Sequence, residues 1–199
     1  MPCTDFGLAD SAGKATDLAR EQGFPVALKI SSQDILHKSD VGGVRLNLDS
    51  SEAVENAYGD ILASVRRTAP QAQVGDVLVS KMASPGLEVI VGMNRDPQFG
   101  PAILFGLGGI MVEIFQDVSL RLLPLTQDDA LAMIRDIKGY KLISGFRGHP
   151  PVDEQALAEC IMAVAQMAEQ NTDIIEIDLN PVIAYPDGIV VVDARIIVT

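Results

Sequence analysis

Residues 174–196 read IIEIDLNPVIAYPDGIVVVDARI, and this stretch decides the fold class. Residues 174–179, 182–185 and 189–193 are short runs rich in β-branched side chains, and Pro186-Asp187-Gly188 turns the last two into a hairpin. Strands joined by so short a turn run antiparallel. Period-two alternation puts Glu176, Asp178 and Asn180 on one face, with Ile175, Ile177 and Leu179 on the other. Three polar groups in a row are either a solvated strand face or the wall of a cleft. Hairpin pairing would bring Asp193 alongside Asn180. A carboxylate and an amide oxygen are hard donors of the kind Mg2+ takes while keeping waters and substrate phosphates.

Upstream, Asp10 and Ser11 offer an N-cap to a helix carrying Ala12, Ala15, Leu18 and Ala19 and ended by Gly23. Residues 25–30, PVALKI, read as a buried strand, residues 31–43 as a polar loop, and Val44, Leu46 and Leu48 as a half-buried strand. Val54, Ala57, Tyr58, Ile61, Leu62 and Val65 keep a helical period. Residues 77–82, 87–93 and 102–105 are strand-like, the last running into Gly106-Leu107-Gly108-Gly109. Thr126 and Asp129 resemble a capping box, and Asp153 caps a longer helix through Leu157, Ile161 and Val164. The order lacks the strict alternation of a doubly wound sheet. It predicts an α+β protein of two lobes, residues 1–82 and 83–199.

Composition narrows the function classes. Among 199 residues, 48% are hydrophobic, which supports a packed core rather than disorder. Lys plus Arg number 15 against 27 Asp plus Glu, and the net charge of −12 opposes binding to nucleic acid or an anionic membrane. No apolar run approaches the ~20 residues of a membrane helix, and the start lacks the pattern of a signal peptide. Two distant cysteines, Cys3 and Cys160, fit a reducing cytoplasm. A local phosphate pocket remains open to Lys29, Lys38, Lys81, Arg95 and Arg121.

Lys29 sits inside an apolar strand, where an ammonium either snorkels to solvent or reaches a cleft as a fixed cation. The loop ILHKSDVGGV, residues 35–44, places His37 and Lys38 before Gly42-Gly43. Adjacent glycines let backbone N–H groups approach a phosphate, but the Gly-Lys-Ser/Thr ending of a P-loop is missing. His37 is either an ordinary surface histidine or a phosphoryl acceptor. Gly108-Gly109 is either structural or ligand-bearing.

Taken together, GFPVALKISSQDILHKSDVGGVRLNL, VLVSKMASPGLEVIVGMNRDPQFGPAILFGLGGI, IKGYKLISGFRGHPPVD and the 174–196 stretch resemble the ATP-grasp domain of ADP-forming acyl-CoA synthetases, in the family's order over residues 23–196. That family is similar to the nucleotide-binding subunit of succinyl-CoA synthetase. The resemblance implies an ATP-grasp fold with the nucleotide between lobes, and ATP or ADP with Mg2+ as ligands. It implies that Lys29 contacts the phosphates, that Ser80, Lys81 and Met82 meet the adenine largely by backbone, and that Glu88 lies near the ribose or base. Gly42 and Gly43, with Arg95, Gly108 and Gly109, belong to the same expected nucleotide site. Asn180 and Asp193 look like the Mg2+ ligands. His37 looks like the phosphohistidine that relays phosphate to a partner.

The implied reaction is acyl-CoA, ADP and phosphate giving acid, CoA and ATP, or its reverse. No CoA-binding or second ligase domain is matched, so a partner subunit or domain is expected to complete turnover. The alternative is a nucleotide-binding module that regulates a protein acetyltransferase without moving phosphate. A carboxylate–amine ligase would need no histidine, and the His37 loop argues against it.

Overall fold

The structure is a computed structural model and describes residues 1–32, 34–35, 38–109, 117–148 and 150–199. The chain divides into two compact units, Thr4–Met82 and a second made of Met1–Cys3 with Ala83–Thr199.

The first unit is a four-stranded sheet in the order β1-β4-β2-β3, every neighbouring pair antiparallel. Its strands are β1 (Phe6–Ala9), β2 (Val26–Ile30), β3 (Val44–Leu48) and β4 (Val77–Lys81). Helix α1 (Ala12–Gln22) starts at Ser11, whose side chain accepts from the Lys14 N–H. It stops at Gly23, whose φ of 81° breaks the helical run. Helix α2 (Ser51–Thr68) is capped by Ser50 and buries Val54, Ala57, Tyr58, Ile61 and Val65, one face at helical spacing. Those side chains, with Ala15 and Ala19 of α1, pack on Val26, Leu28, Ile30, Val77 and Val79. Alternation therefore turns Ala27 and Lys29 of β2 and Ser80 of β4 to the other face, away from the helices.

The second unit holds a six-stranded antiparallel sheet, β10-β8-β5-β6-β7 with β9 also on β8. Its strands are β5 (Leu87–Asp96), β6 (Gly100–Leu107), β7 (Val118–Leu122), β8 (Ile174–Tyr185), β9 (Gly188–Val191) and β10 (Ala194–Val198). Helices α3 (Gln127–Asp136) and α5 (Glu154–Gln170) lie on one face, with the short α4 (Tyr140–Ile143) between them in sequence. Thr126 and Asp129 form the full capping box, and the Asp153 side chain accepts from the Ala156 N–H. The core joins Val91, Met93, Ile103 and Phe105 of the sheet to Met133, Ile134, Leu157 and Ile161 of the helices. Met1–Cys3 belongs to this unit through a Cys3–Val191 bridge and a bond from the Val191 N–H to the Pro2 carbonyl.

The strand pattern departs from the sequence reading most clearly in three places. β1 is a four-residue edge strand whose Phe6 and Leu8 are exposed, too short to stand out as a period-two run. β8 is one strand of 12 residues rather than two. Pro181 has no N–H to give, yet its carbonyl accepts from the Val192 N–H and the strand runs on. β5 and β6 extend the expected strands until only Pro97-Gln98-Phe99 separates them, and the Asp96 carboxylate accepts from the Gln98 and Phe99 N–H groups there.

Candidate functional site

In the first unit, Lys29 is 6% exposed and Ser80 2%, both on the helix-free face, where Ala27 opposes Ser80 and Lys29 opposes Leu78. A buried ammonium is costly in a strand that serves only packing. Lys81 falls on the opposite side, its Nζ close to Gly23. The Lys81 N–H donates to the Asp5 carbonyl and the Met82 N–H to the Pro25 carbonyl, each at 3.0 Å. Both of these N–H groups are thus engaged within the unit.

Gly42 and Gly43 also have a packing explanation. A Cβ on Gly42, at φ 66°, would stand 2.4 Å from Ser64 Oγ of α2. The Gly43 N–H donates to the Lys38 carbonyl, and its own carbonyl accepts from the Ile30 N–H. The stems of the 31–43 loop are tied down as well, by Ser32 to the Gln73 carbonyl and by the Gln73 N–H to the Asp34 carboxylate. His37, the expected phosphohistidine, lies outside the described residues.

The second unit gathers several expected residues at one end of β5. Val89 pairs with Leu107, and the Gly108 N–H donates to the Glu88 carbonyl at 2.7 Å. A Cβ on Gly109, at φ 61°, would lie 2.6 Å from Glu88 Oε2. The glycine turn and Glu88 are therefore in direct contact. The same end of β5 meets Asn180, which falls at the irregular step where Val91 opposes Leu179 and Val89 opposes Val182. The Asn180 N–H donates to the Asp193 carbonyl at 3.1 Å.

Around Asn180 the face of β8 is acidic. Arg195 forms an ion pair with Glu176 and lies opposite Asp178. Burial pushes the Asp178 carboxyl above the ordinary carboxylate range; Arg195 opposes the rise, while Glu176 and Asp193 add to it. Among the described residues no three His, Cys, Asp or Glu side chains converge as a metal cage. Mg2+ needs none, since it leans on one or two protein oxygens and on phosphates, and the oxygen donors of Asn180 and Asp193 fit it.

Arg95 is placed otherwise than expected. Its Nε donates to the Ile174 carbonyl and its Nη2 to the Ala168 and Asn171 carbonyls, at 2.7–3.1 Å. The guanidinium caps the C-terminal end of α5. Arg95 opposes Pro101 while Val89 opposes Leu107, so six steps of strand, about 20 Å, separate it from the glycine turn. The two cannot serve one phosphate. Burial pushes the Cys160 thiol up to about 11, which disfavours the reactive thiolate there.

Comparison with known proteins then gives concordant matches. The sequence model of a family described as ATP-grasp domain matches residues 1–198. The chain is 47% identical over 197 residues to the acetate–CoA ligase [ADP-forming] I subunit beta of Pyrococcus furiosus, covering 99% of this chain and 85% of that subunit. It superposes with a TM-score of 0.96 and 52% identity on a dinucleotide-forming acetyl-coenzyme A synthetase 1 from Ca. Korarchaeum cryptofilum, solved with coenzyme A and Ca-AMPCP, covering 100% of this chain and 86% of that one. Another structure of that synthetase holds coenzyme A and Mg-AMPPCP, with its phosphohistidine segment pointing towards the nucleotide binding site. To that structure the TM-score is 0.84 at 48% identity, over 100% of this chain and 85% of that one.

Proposed function

The chain belongs to the ATP-grasp family, and from that premise we propose that it is the nucleotide-binding domain or subunit of an ADP-forming acyl-CoA synthetase. The observation that carries this reading is the meeting of Asn180 and Asp193 on the acidic face of Glu176 and Asp178, at the end of β5 where Glu88 meets the Gly108-Gly109 turn. Such a place is relieved by a divalent cation and does not suit a bare phosphate.

Lys29 supplies a fixed cation for the nucleotide phosphates, and the backbone at Gly108-Gly109 supplies close approach. Asn180 and Asp193 hold Mg2+, which neutralises phosphate charge when it arrives with the nucleotide. His37 is the proposed carrier. In ATP formation a terminal oxygen of ADP attacks the phosphorus held on one imidazole nitrogen while the other ring nitrogen carries a proton; the O–P bond forms, the N–P bond breaks, its electron pair returns to the ring, and neutral imidazole is left. Positioning and charge neutralisation do this work. The acid and CoA are handled by a CoA-binding partner subunit or domain in the cytoplasm. Support for a partner comes from the relatives, which include a beta subunit and a synthetase solved in complex with coenzyme A. No described helix is long and apolar enough to cross a membrane.

Titration calorimetry of the folded chain with Mg-ADP and Mg-ATP tests the proposal. Binding is expected, and Asp193→Ala should weaken it about tenfold while leaving metal-free nucleotide in excess chelator unaffected. Absence of any heat of binding at millimolar Mg-ATP sinks the reading. Equal Mg-ATP affinity in the Asp193→Ala and Asn180→Ala proteins sinks the metal assignment alone.

A further inference from the structure

Asp117 is a carboxylate buried to 8% exposure that no part of the proposed phosphoryl chemistry uses. Its Oδ1 accepts from the Lys138 N–H at 2.8 Å and its Oδ2 from the Gly139 N–H at 2.6 Å. It thus ties the start of β7 to the link between α3 and α4, residues far apart in sequence. Two charge-assisted bonds to backbone donors are stronger than neutral ones and fix direction as well as distance.

The joint lies against the end of β6. A Cβ on Gly139 would come within 2.3 Å of Leu107 Cδ1 and 3.1 Å of Asp117 Oδ2. A Cβ on Gly106 would come within 2.8 Å of both the Asp117 carbonyl oxygen and Val118 Cγ1. Leu107, held between these contacts and itself 5% exposed, is the residue immediately before Gly108-Gly109. On the other side the turn rests on Glu88. Leu107 is thus held by its pairing with Val89 on one side and by the Asp117 joint on the other.

We infer that Asp117 is a positioning residue for the Gly108-Gly109 turn, holding the Lys138–Gly139 link against Leu107 so that the turn meets nucleotide phosphate at a set place. The inference rests on the nucleotide reading above. Its mark is phosphate dependence: a displaced turn costs binding only for ligands whose phosphates reach it. An anchor of stability alone would weaken all nucleotides together or none.

The test is Asp117→Asn, which replaces one accepting oxygen by an amide that faces a backbone donor. Mg-ATP and AMP are the probes, the first by calorimetry and the second by competition. Mg-ATP affinity should fall about tenfold while AMP affinity stays within twofold, and Asp136→Asn, at an exposed ion pair on the same helix link, should change neither. If Asp117→Asn fails to fold, Gly139→Ala disturbs the same joint through Leu107 and is judged by the same ratio. Unchanged Mg-ATP affinity, or an equal loss for both probes, overturns the inference. A parent protein that does not bind Mg-ATP overturns the nucleotide reading as well, and the two failures are told apart on that point.

Discussion

A Cβ added to Gly43 would stand 2.5 Å from Ile30 Cγ2 and 2.9 Å from the Lys38 carbonyl oxygen, whereas one added to Gly109 would meet the carboxylate end of Glu88, at 2.6 Å from Oε2. In sequence the two pairs, Gly42-Gly43 and Gly108-Gly109, are interchangeable signals of close backbone approach. In the fold the first pair is closed in by its own unit, by a core side chain, a backbone carbonyl and Ser64 of α2. In the second, Gly108 is closed in by the Glu88 backbone, at 2.9 Å from its carbonyl carbon, and only Gly109 rests on the flexible end of a side chain, near other candidate site residues. Adjacent glycines announce that something comes near. Only the neighbours decide whether it is the protein or a ligand.

The largest effect expected from this contrast is at Gly43. Neither the buried Ile30 nor the Lys38 backbone can give way cheaply, so Gly43→Ala should destabilise the fold by about 2–3 kcal/mol through overpacking. Urea unfolding with an unchanged slope checks it. A cost below about 0.5 kcal/mol would show that the loop yields freely and that its packing role has been overstated.

Gly109→Ala should do less to stability and more to binding. The positive φ costs about 1 kcal/mol, and Glu88 can swing aside. Mg-ATP affinity should nevertheless fall about tenfold, because the new methyl takes the space through which backbone reaches phosphate. Calorimetry on the variant decides. A protein that binds Mg-ATP as the parent does would place the two glycine pairs in the same structural class and leave the phosphates to Lys29.

How far these roles were legible depends on how local their causes are. Ser11, Thr126 with Asp129, and Asp153 announce their helices because a cap is written within four residues. The hairpin at Pro186-Asp187-Gly188 and the meeting of Asn180 with Asp193 follow from period and turn length alone. Arg95 could not be read this way. The carbonyls it caps belong to Ala168, Asn171 and Ile174, more than 70 residues away. Asp117 was invisible for the same reason, since its partners are 21 and 22 residues on. β1 is not legible because four residues with exposed Phe6 and Leu8 are too short a run to mark a strand.

The smallest effect sharpens the contrast at Gly42. There the crowding atom is Ser64 Oγ at 2.4 Å, with Ser64 Cβ at 3.2 Å, and φ is 66°. Gly42→Ala therefore carries two separable costs: the left-handed backbone, about 1 kcal/mol, and the clash with one hydroxyl. Ser64→Ala removes the hydroxyl and leaves a Cβ contact that a shift of a few tenths of an ångström relieves. In a double-mutant cycle the Gly42→Ala cost should then shrink by about 0.5–1 kcal/mol on the Ser64→Ala background. Chemical unfolding of the four proteins measures that coupling. Zero coupling would mean that the loop stands off α2 in solution, free of the helix that the Thr68 hydroxyl, through its bond to the Val41 carbonyl, also ties it to. The packing explanation for the first glycine pair would then fall, and a role in approaching phosphate would return to it.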